Sequence, residues 1–340
     1  MRRPWLAPLV PLYAAGVAWR EFRREHGGVP VRRLQSPVIS IGNLSTGGSG
    51  KTPLTIALAK LLVARGLGVD VLSRGYGRRS SAPARVDPSG TAEQFGDEPL
   101  LIAREAGVPV YVAPQRYDAG LLAETNPRTP AQHEVPGDST SRVHILDDGF
   151  QHRQLHRTVD ILLLNREDWE DSLLPAGNLR EALHAAHRAG ILAVPADDTG
   201  FEAELHRWGW SGPIWRLHRG MEVPDVSGPV FAFCGIARPE QFFEGLKRKG
   251  LAPAACKAFR DHHRYTREDL DHLIARARTA KAAAFITTDK DAVRLGPLAS
   301  SFPDDLPLLT AKLRTEVESA GTAVDWLLAY LAAAESALRL

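Results

Sequence analysis

The sequence predicts an α/β protein: a parallel-sheet lobe of the phosphate-loop NTPase type, a second and smaller α/β lobe, and a cleft between them. Three observations carry this. Strand-like apolar runs alternate with helical patterns along most of the chain. A glycine-rich turn ending in Lys51-Thr52 joins one such strand to one such helix. The 340 residues correspond to about two domains at roughly 150 residues each. With 44% hydrophobic and 24% charged residues, the chain is excluded from the disordered and fibrous classes.

The first lobe opens with a strand over 37–41, the glycine-rich turn, and a helix over 53–65. Strands are expected at 69–73, 110–112, 144–147, 161–165 and 191–194, with helices over 97–106, 115–124 and 180–189. The polar stretch 125–141 carries Pro127, Pro130, Pro136 and Gly137 and reads as a surface insertion. A second series follows: strands at 230–233, 285–288 and 308–311, and helices near 239–249, 267–281 and 320–338. Gly212, Pro213, Gly220, Pro224 and Gly228 mark 211–228 as the linker. The expected organisation is therefore an amino-terminal segment over 1–26, a phosphate-loop domain over 27–220 and a carboxy-terminal domain over 221–340. Cys234 and Cys256 are too few for a disulfide scaffold or a cysteine-rich zinc site and read as small buried hydrophobes in a reducing compartment.

Charge is unevenly placed. The net charge is 42 − 40 = +2, which points to no nucleic-acid partner. Residues 1–33 nonetheless hold seven arginines (2, 3, 20, 23, 24, 32 and 33) against Glu21 and Glu25, an excess of 7 − 2 = +5. These flank an uncharged run from Pro4 to Trp19. The run is shorter than the ~20 residues a bilayer span needs, and Pro8 and Pro11 interrupt it. Trp5, Tyr13 and Trp19 suit headgroup depth and the arginines suit anionic lipid, so the segment is expected to lie in a membrane interface. A signal peptide and an apolar helix packed on the body are the rivals.

Ser45-Thr46-Gly47-Gly48-Ser49-Gly50-Lys51-Thr52 is the phosphate loop. Its backbone N–H groups and the positive end of the following helix would cradle phosphate oxygens. Lys51 would reach the β- and γ-phosphates of ATP, and the Thr52 hydroxyl would hold Mg²⁺. Ser45 stands where the strict motif has its first glycine. Asp147 and Asp148 end an apolar strand, where a parallel sheet places its ligands, and are candidate Mg²⁺ carboxylates.

Gly42 to Pro53 resembles the signature of the tetraacyldisaccharide 4′-kinase family, the lipid A kinases of Gram-negative bacteria. So do Ser73-Arg74-Gly75-Tyr76-Gly77-Arg78, Gly96-Asp97-Glu98-Pro99 and Asp147-Asp148-Gly149-Phe150-Gln151-His152. Leu174 to Glu181, Asp261-His262-His263 and Lys290-Asp291-Ala292-Val293 continue the match. The family shares Ser or Thr at position 45, and it more often has Glu where Asp289 stands. The resemblance implies transfer of the γ-phosphoryl group of ATP to the 4′-hydroxyl of a tetraacylated glucosamine disaccharide 1-phosphate, giving lipid IVA. It implies no obligate protein partner, and a place at the cytoplasmic face of the inner membrane.

The same resemblance favours Asp97 as the base, supported by His262, a pairing that a separation of 165 residues could not itself reveal. It places Arg116, His152, Arg180 and Glu181 along the acceptor side of the cleft. Tyr76 is a candidate for stacking on adenine or for closing a turn. A membrane-tethered ATPase switch that binds a protein partner is the competing function. A dinucleotide oxidoreductase would need a third glycine after Gly75-Tyr76-Gly77 and leaves Lys51-Thr52 unexplained.

Overall fold

A computed structural model describes residues 3–28, 30–48, 50–126 and 142–339. The expected insertion, from residue 127 to 141, and Ser49 of the phosphate loop lie outside the described residues.

The chain begins with a 3₁₀ turn at Pro4–Leu9 that runs into α1 (Val10–Glu25). Pro8 and Pro11 fall within these first turns, where few backbone N–H groups have a helical acceptor, so they do not stop the helix. Next come β1 (Val38–Asn43), α2 (Lys51–Ala64), β2 (Gly68–Ser73), β3 (Ala84–Arg85), α3 (Ala92–Phe95) and α4 (Asp97–Ala106). They are followed by β4 (Val110–Val112), α5 (Arg116–Thr125), β5 (Arg142–Asp147), β6 (Val159–Leu163), α6 (Arg166–Trp169) and β7 (Ile191–Pro195). The second half holds α7 (Thr199–Arg207), β8 (Ile214–Glu222), β9 (Val230–Cys234), α8 (Pro239–Arg248), β10 (Ala255–Ala258) and α9 (Arg267–Thr279). It ends with β11 (Ala284–Thr288), α10 (Asp289–Leu295), β12 (Leu308–Val317) and α11 (Ala320–Arg339).

The strand order is β10-β9-β11-β12-β8-β7-β6-β1-β5-β2-β4-β3. Neighbours pair in parallel except β3 with β4 and β8 with β12. Two parallel sheets are thus joined through one antiparallel ribbon, residues 217–222 against 312–317. This corrects the sequence reading twice. The stretch expected to be a linker contains β8, whose first half pairs with β7 and whose second half forms the ribbon. Likewise β12 runs on to Val317, well past the expected Ala311, because its second half has β8 to pair with. The half-exposed β8 breaks apolar alternation, which is why glycine and proline dominated its reading.

β1 and β5 lie at the centre of the larger sheet and are buried almost throughout. Helices cover both faces, so Val38, Ile39, Ile41, Val143, Ile145 and Leu146 are all buried, with Ser40 and His144 as buried polar members. On one face α2 is covered in turn by Val324, Leu327 and Leu331 of α11. That explains a helix apolar all round. The helix expected over 180–189 is only a 3₁₀ turn at Leu183–Arg188, and the Arg180 backbone N–H instead donates to Leu44 O beside the phosphate loop. Of the two cysteines, Cys234 is buried as expected, whereas Cys256 is exposed on the edge strand β10.

Gly42, near the end of β1, is fixed by close approach. A Cβ there would stand 2.5 Å from Phe150 Cβ and 2.8 Å from its backbone nitrogen, and Phe150 is fully buried. Gly42→Ala is expected to destabilise the protein by about 1–3 kcal/mol. The check is thermal unfolding, in which an unchanged Tm would contradict this packing.

Candidate active site

The phosphate loop follows β1 and leads into α2, with Gly50 in the left-handed region (φ +88°) immediately before Lys51. A second segment holds the loop from beneath. Thr46 N–H donates to Asn178 O at 2.8 Å, and Arg180 Nε donates to Ser45 O at 3.0 Å. Asn43 Nδ2 donates to the Ser45 carbonyl at 2.9 Å and to its hydroxyl at 3.1 Å. Ser45 is buried and braces the loop. The block from Leu174 to Glu181 is therefore, in part, the floor of the phosphate loop.

Above it lies a cleft of about 570 Å³. Thr46, Gly47, Gly48, Gly50, Lys51 and Thr52 line one side, with Asp147, Asp148, Arg116 and Arg180. Residues 236–238, Asp261, His262 and Lys290 face them from the second half of the chain.

Lys51 Nζ donates to Asn43 Oδ1 at 2.9 Å and lies 3.5 Å from Asp148 Oδ1. The Arg180 guanidinium forks onto the same carboxylate at 3.1 and 3.3 Å. Burial would push the Asp148 carboxyl up, but Lys51 and Arg180, with Arg116 nearby, outweigh it and hold it below the usual carboxylate range. Asp147 is the opposite case. Burial, then the neighbouring carboxylates Glu98 and Asp148, push it well above that range. Its Oδ1 accepts from Thr55 Oγ1 at 3.3 Å. Two adjacent strand-end carboxylates, one of them short of positive charge, share the cleft with the Thr52 hydroxyl. This donor set fits a hard divalent cation that also takes phosphate oxygens and water. Asp148 adopts φ +50°, a conformation that costs a non-glycine residue energy and that gathers at functional positions.

At the far side of the cleft Asp97, the first residue of α4, meets His262, with His262 Nδ1 3.0 Å from Asp97 Oδ2. Asp97 is buried while His262 is partly exposed. His262 also stands in the left-handed region, at φ +56°, held there by donation of its backbone N–H to Gly235 O at 3.1 Å. Burial alone would raise the Asp97 carboxyl. The hydrogen bond from His262 and the charges of Arg294, His262 and Lys290 overcome this and hold it far below its ordinary value. The same hydrogen bond raises His262 above the ordinary imidazole value, against burial and Arg294. The Tyr76 ring lies 5.6 Å from the His262 ring, at this end of the cleft.

Two expected acceptor-side residues are not among those lining this cleft. Glu181 is buried and gives its carboxylate to Arg188 at 2.5 Å, while its neighbour Arg180 lines the cleft. Arg188 also reaches Glu21 of α1 at 3.4 Å. His152 does not line the cleft. Burial, then Arg116, Arg157, Arg24 and Arg74, push its imidazole down to about 4. It is a neutral ring among four cations. Arg116 remains at the cleft wall, buried, with its Nε lacking a hydrogen-bond partner.

Sequence reading missed four participants: Asn43, Glu98, Lys290 and Arg294. Lys290 Nζ donates to Glu98 at 2.5 Å across the cleft. Each lies within or beside a motif already singled out, yet only the fold shows which partner it meets.

The family model described as tetraacyldisaccharide-1-P 4′-kinase matches residues 2–332. The chain belongs to this kinase family. Among curated relatives, a tetraacyldisaccharide 4′-kinase of Koribacter versatilis is 40% identical over 94% of this chain and 96% of its own. One from Geobacter metallireducens is 40% identical over 87% and 89%. A crystal structure of LpxK from Aquifex aeolicus, described as an apo form in complex with ATP, superposes with a TM-score of 0.73. It is 32% identical and covers 96% of this chain and 98% of that one. The expected fold class, a phosphate-loop kinase with a largely parallel sheet, holds.

Proposed function

We propose that this chain, as a tetraacyldisaccharide 4′-kinase, moves the γ-phosphoryl group of ATP onto the 4′-hydroxyl of a tetraacyldisaccharide 1-phosphate, with Asp97 and His262 receiving the proton. One observation carries the reading. The phosphate loop and the hydrogen-bonded Asp97–His262 pair, far apart in sequence, line one and the same cleft.

Phosphoryl transfer asks the protein for alignment and for positive charge against the transferred group. The backbone of residues 46–48 and 50–52 holds the phosphate tail, and Lys51 meets its β- and γ-oxygens. Arg180 and Arg116 supply further cations beside the loop. Thr52, Asp147 and Asp148 would hold Mg²⁺, which when bound screens phosphate charge. Asp97 orients the sugar hydroxyl and takes its proton late in transfer, since that hydroxyl is a very weak acid. The imidazole of His262 keeps the carboxylate directed into the cleft. Label from [γ-³²P]ATP is expected to enter the lipid phase when the disaccharide is supplied. Label released only as inorganic phosphate, stimulated by a protein partner, would favour the switch reading.

The amino terminus supplies the membrane side of this reading. Leu6, Val10, Tyr13, Ala14, Val17, Glu21 and Arg24 form one partly covered stripe at helical spacing. Tyr13 Oη donates to Arg180 O at 3.0 Å along this stripe. Trp5, Leu9, Leu12, Trp19 and Phe22 are exposed on the other side. Among the described residues no helix is long and apolar enough to cross a membrane. A helix seated on the body with an apolar outer face, flanked by arginines, suits the anionic surface of the inner membrane, where an acylated acceptor must be met. Replacing Trp5, Leu12 and Trp19 together with Ser is expected to cut sedimentation with anionic vesicles about tenfold or more. The apparent KM for the lipid should rise while that for ATP stays put. Equal loss for both substrates would contradict the assignment.

A further inference from the structure

Arg294 is the cation closest to Asp97, and it comes from the opposite half of the molecule. It sits on α10, one turn after Asp291, and its side chain is 6% exposed. One end of its guanidinium is anchored on the second half. Nη1 donates to Gly235 O and to Asp291 Oδ1, the latter at 3.1 Å. Asp291 is itself fixed by the Gly235 N–H, Tyr265 Oη and Thr288 Oγ1. The other end crosses to Asp97: Nε donates to Oδ2 at 2.8 Å and Nη2 lies 2.7 Å from the same oxygen.

Asp97 Oδ2 therefore receives both Arg294 and His262, while Oδ1 has the Glu98 backbone N–H at 3.0 Å. The oxygen with spare acceptor capacity is Oδ1. Arg294 Nη2 also lies 3.3 Å from His262 Nδ1. Guanidinium only donates, so while Nδ1–H points at Asp97 this contact sets two donors side by side. We propose that Arg294 is a positioning residue for the proton-accepting pair: it saturates Oδ2, presents Oδ1 to the acceptor hydroxyl, and sets a fixed cation against the His262 ring. This deepens the reading of Asp97 and His262 as the base and rests on it.

The charged groups around the pair are Glu98 on α4, Asp261 beside His262, and Lys290, Asp291 and Arg294 on α10. Glu98 is taken by Lys290, and Asp291 by Arg294 and its buried donors. Arg294 is thus the cation that acts on both members at once. It opposes the imidazolium and favours the carboxylate. Removing it raises the proton affinity of both groups, so the protonated, inactive form persists to higher pH.

The test is the pH profile of kcat/KM for the lipid in the full-length enzyme, for wild type, Arg294→Met, Arg294→Lys and Asp97→Asn. Arg294→Met is expected to move the acidic limb up by about one pH unit, the scale of one close charge. It should also lower kcat about tenfold, with the KM for ATP unchanged. Arg294→Lys keeps the charge but not the fork, so its limb should stay near wild type while kcat falls. A limb that superimposes on wild type in Arg294→Met, with an even loss at all pH, would make Arg294 a brace and overturn the inference. So would an Arg294→Met enzyme too unstable to assay combined with an Arg294→Lys enzyme of wild-type kcat. Failure of the underlying reading looks different: Asp97→Asn would then retain near-wild-type kcat whatever the arginine variants do.

Discussion

Asp97→Asn is expected to lower kcat for transfer to the lipid by about 10²–10⁴-fold, the range a positioned proton acceptor contributes. Nucleotide binding should stay near wild type, because Asp97 lies on α4 and outside the phosphate loop, although both line the cleft. The substitution keeps the shape and removes the charge. His262 then loses the partner that raises it, so any acidic limb left in the activity moves down in pH. The sign is fixed by the pair: an imidazole held up by a carboxylate falls when the carboxylate is neutralised. Arg294 is left with less negative charge around a buried guanidinium, so the variant should also melt earlier. Calorimetric ATP titration, stopped-time label transfer and a melting curve separate these effects. Weakened ATP binding with kcat intact would reverse the assignment.

Lys51→Ala is expected to remove transfer by a different route. The ammonium is the loop's own cation, held between Asn43 and Asp148 at the mouth of α2. Its loss is expected to cost about 10²–10³ in kcat, the scale for removing one preorganised group that meets transition-state charge. ATP affinity should fall as well, which Asp97→Asn does not do. Asp148 keeps the Arg180 fork, so the strand end should stay ordered and the Tm should change little. A Lys51→Ala enzyme with normal turnover would mean that the phosphates sit elsewhere.

What was legible in the sequence follows its physics. β1, the turn and α2 could be read because a buried parallel strand, a glycine turn and a helix start each demand particular residues within sixteen positions. α4 and α9 were read from their periodicity, and the structure places them at Asp97–Ala106 and Arg267–Thr279. β8 was not read, because a ribbon half exposed to solvent carries glycine and polar residues like those of a linker. At the site, Lys51, Thr52 and Asp148 announced themselves by local context. Asp97 and His262 came from the family pattern, and only the fold brings them to 3.0 Å. Arg294 was invisible for the same reason. Its partner lies 197 residues away, and the only local hint is an aspartate three residues earlier on one helix face. Glu181 shares a motif with Arg180, yet its carboxylate pairs with Arg188 while Arg180 lines the cleft.

The central claim is that one cleft aligns a triphosphate on the loop with a sugar hydroxyl at Asp97. A crystal structure with magnesium, a non-hydrolysable ATP analogue and the disaccharide acceptor tests it most directly. The account predicts the terminal phosphate against Lys51 and the 4′-oxygen about 3 Å from Asp97 Oδ1, pointing at the phosphorus. A loop free of phosphate, or an acceptor hydroxyl out of reach of Asp97, would contradict it.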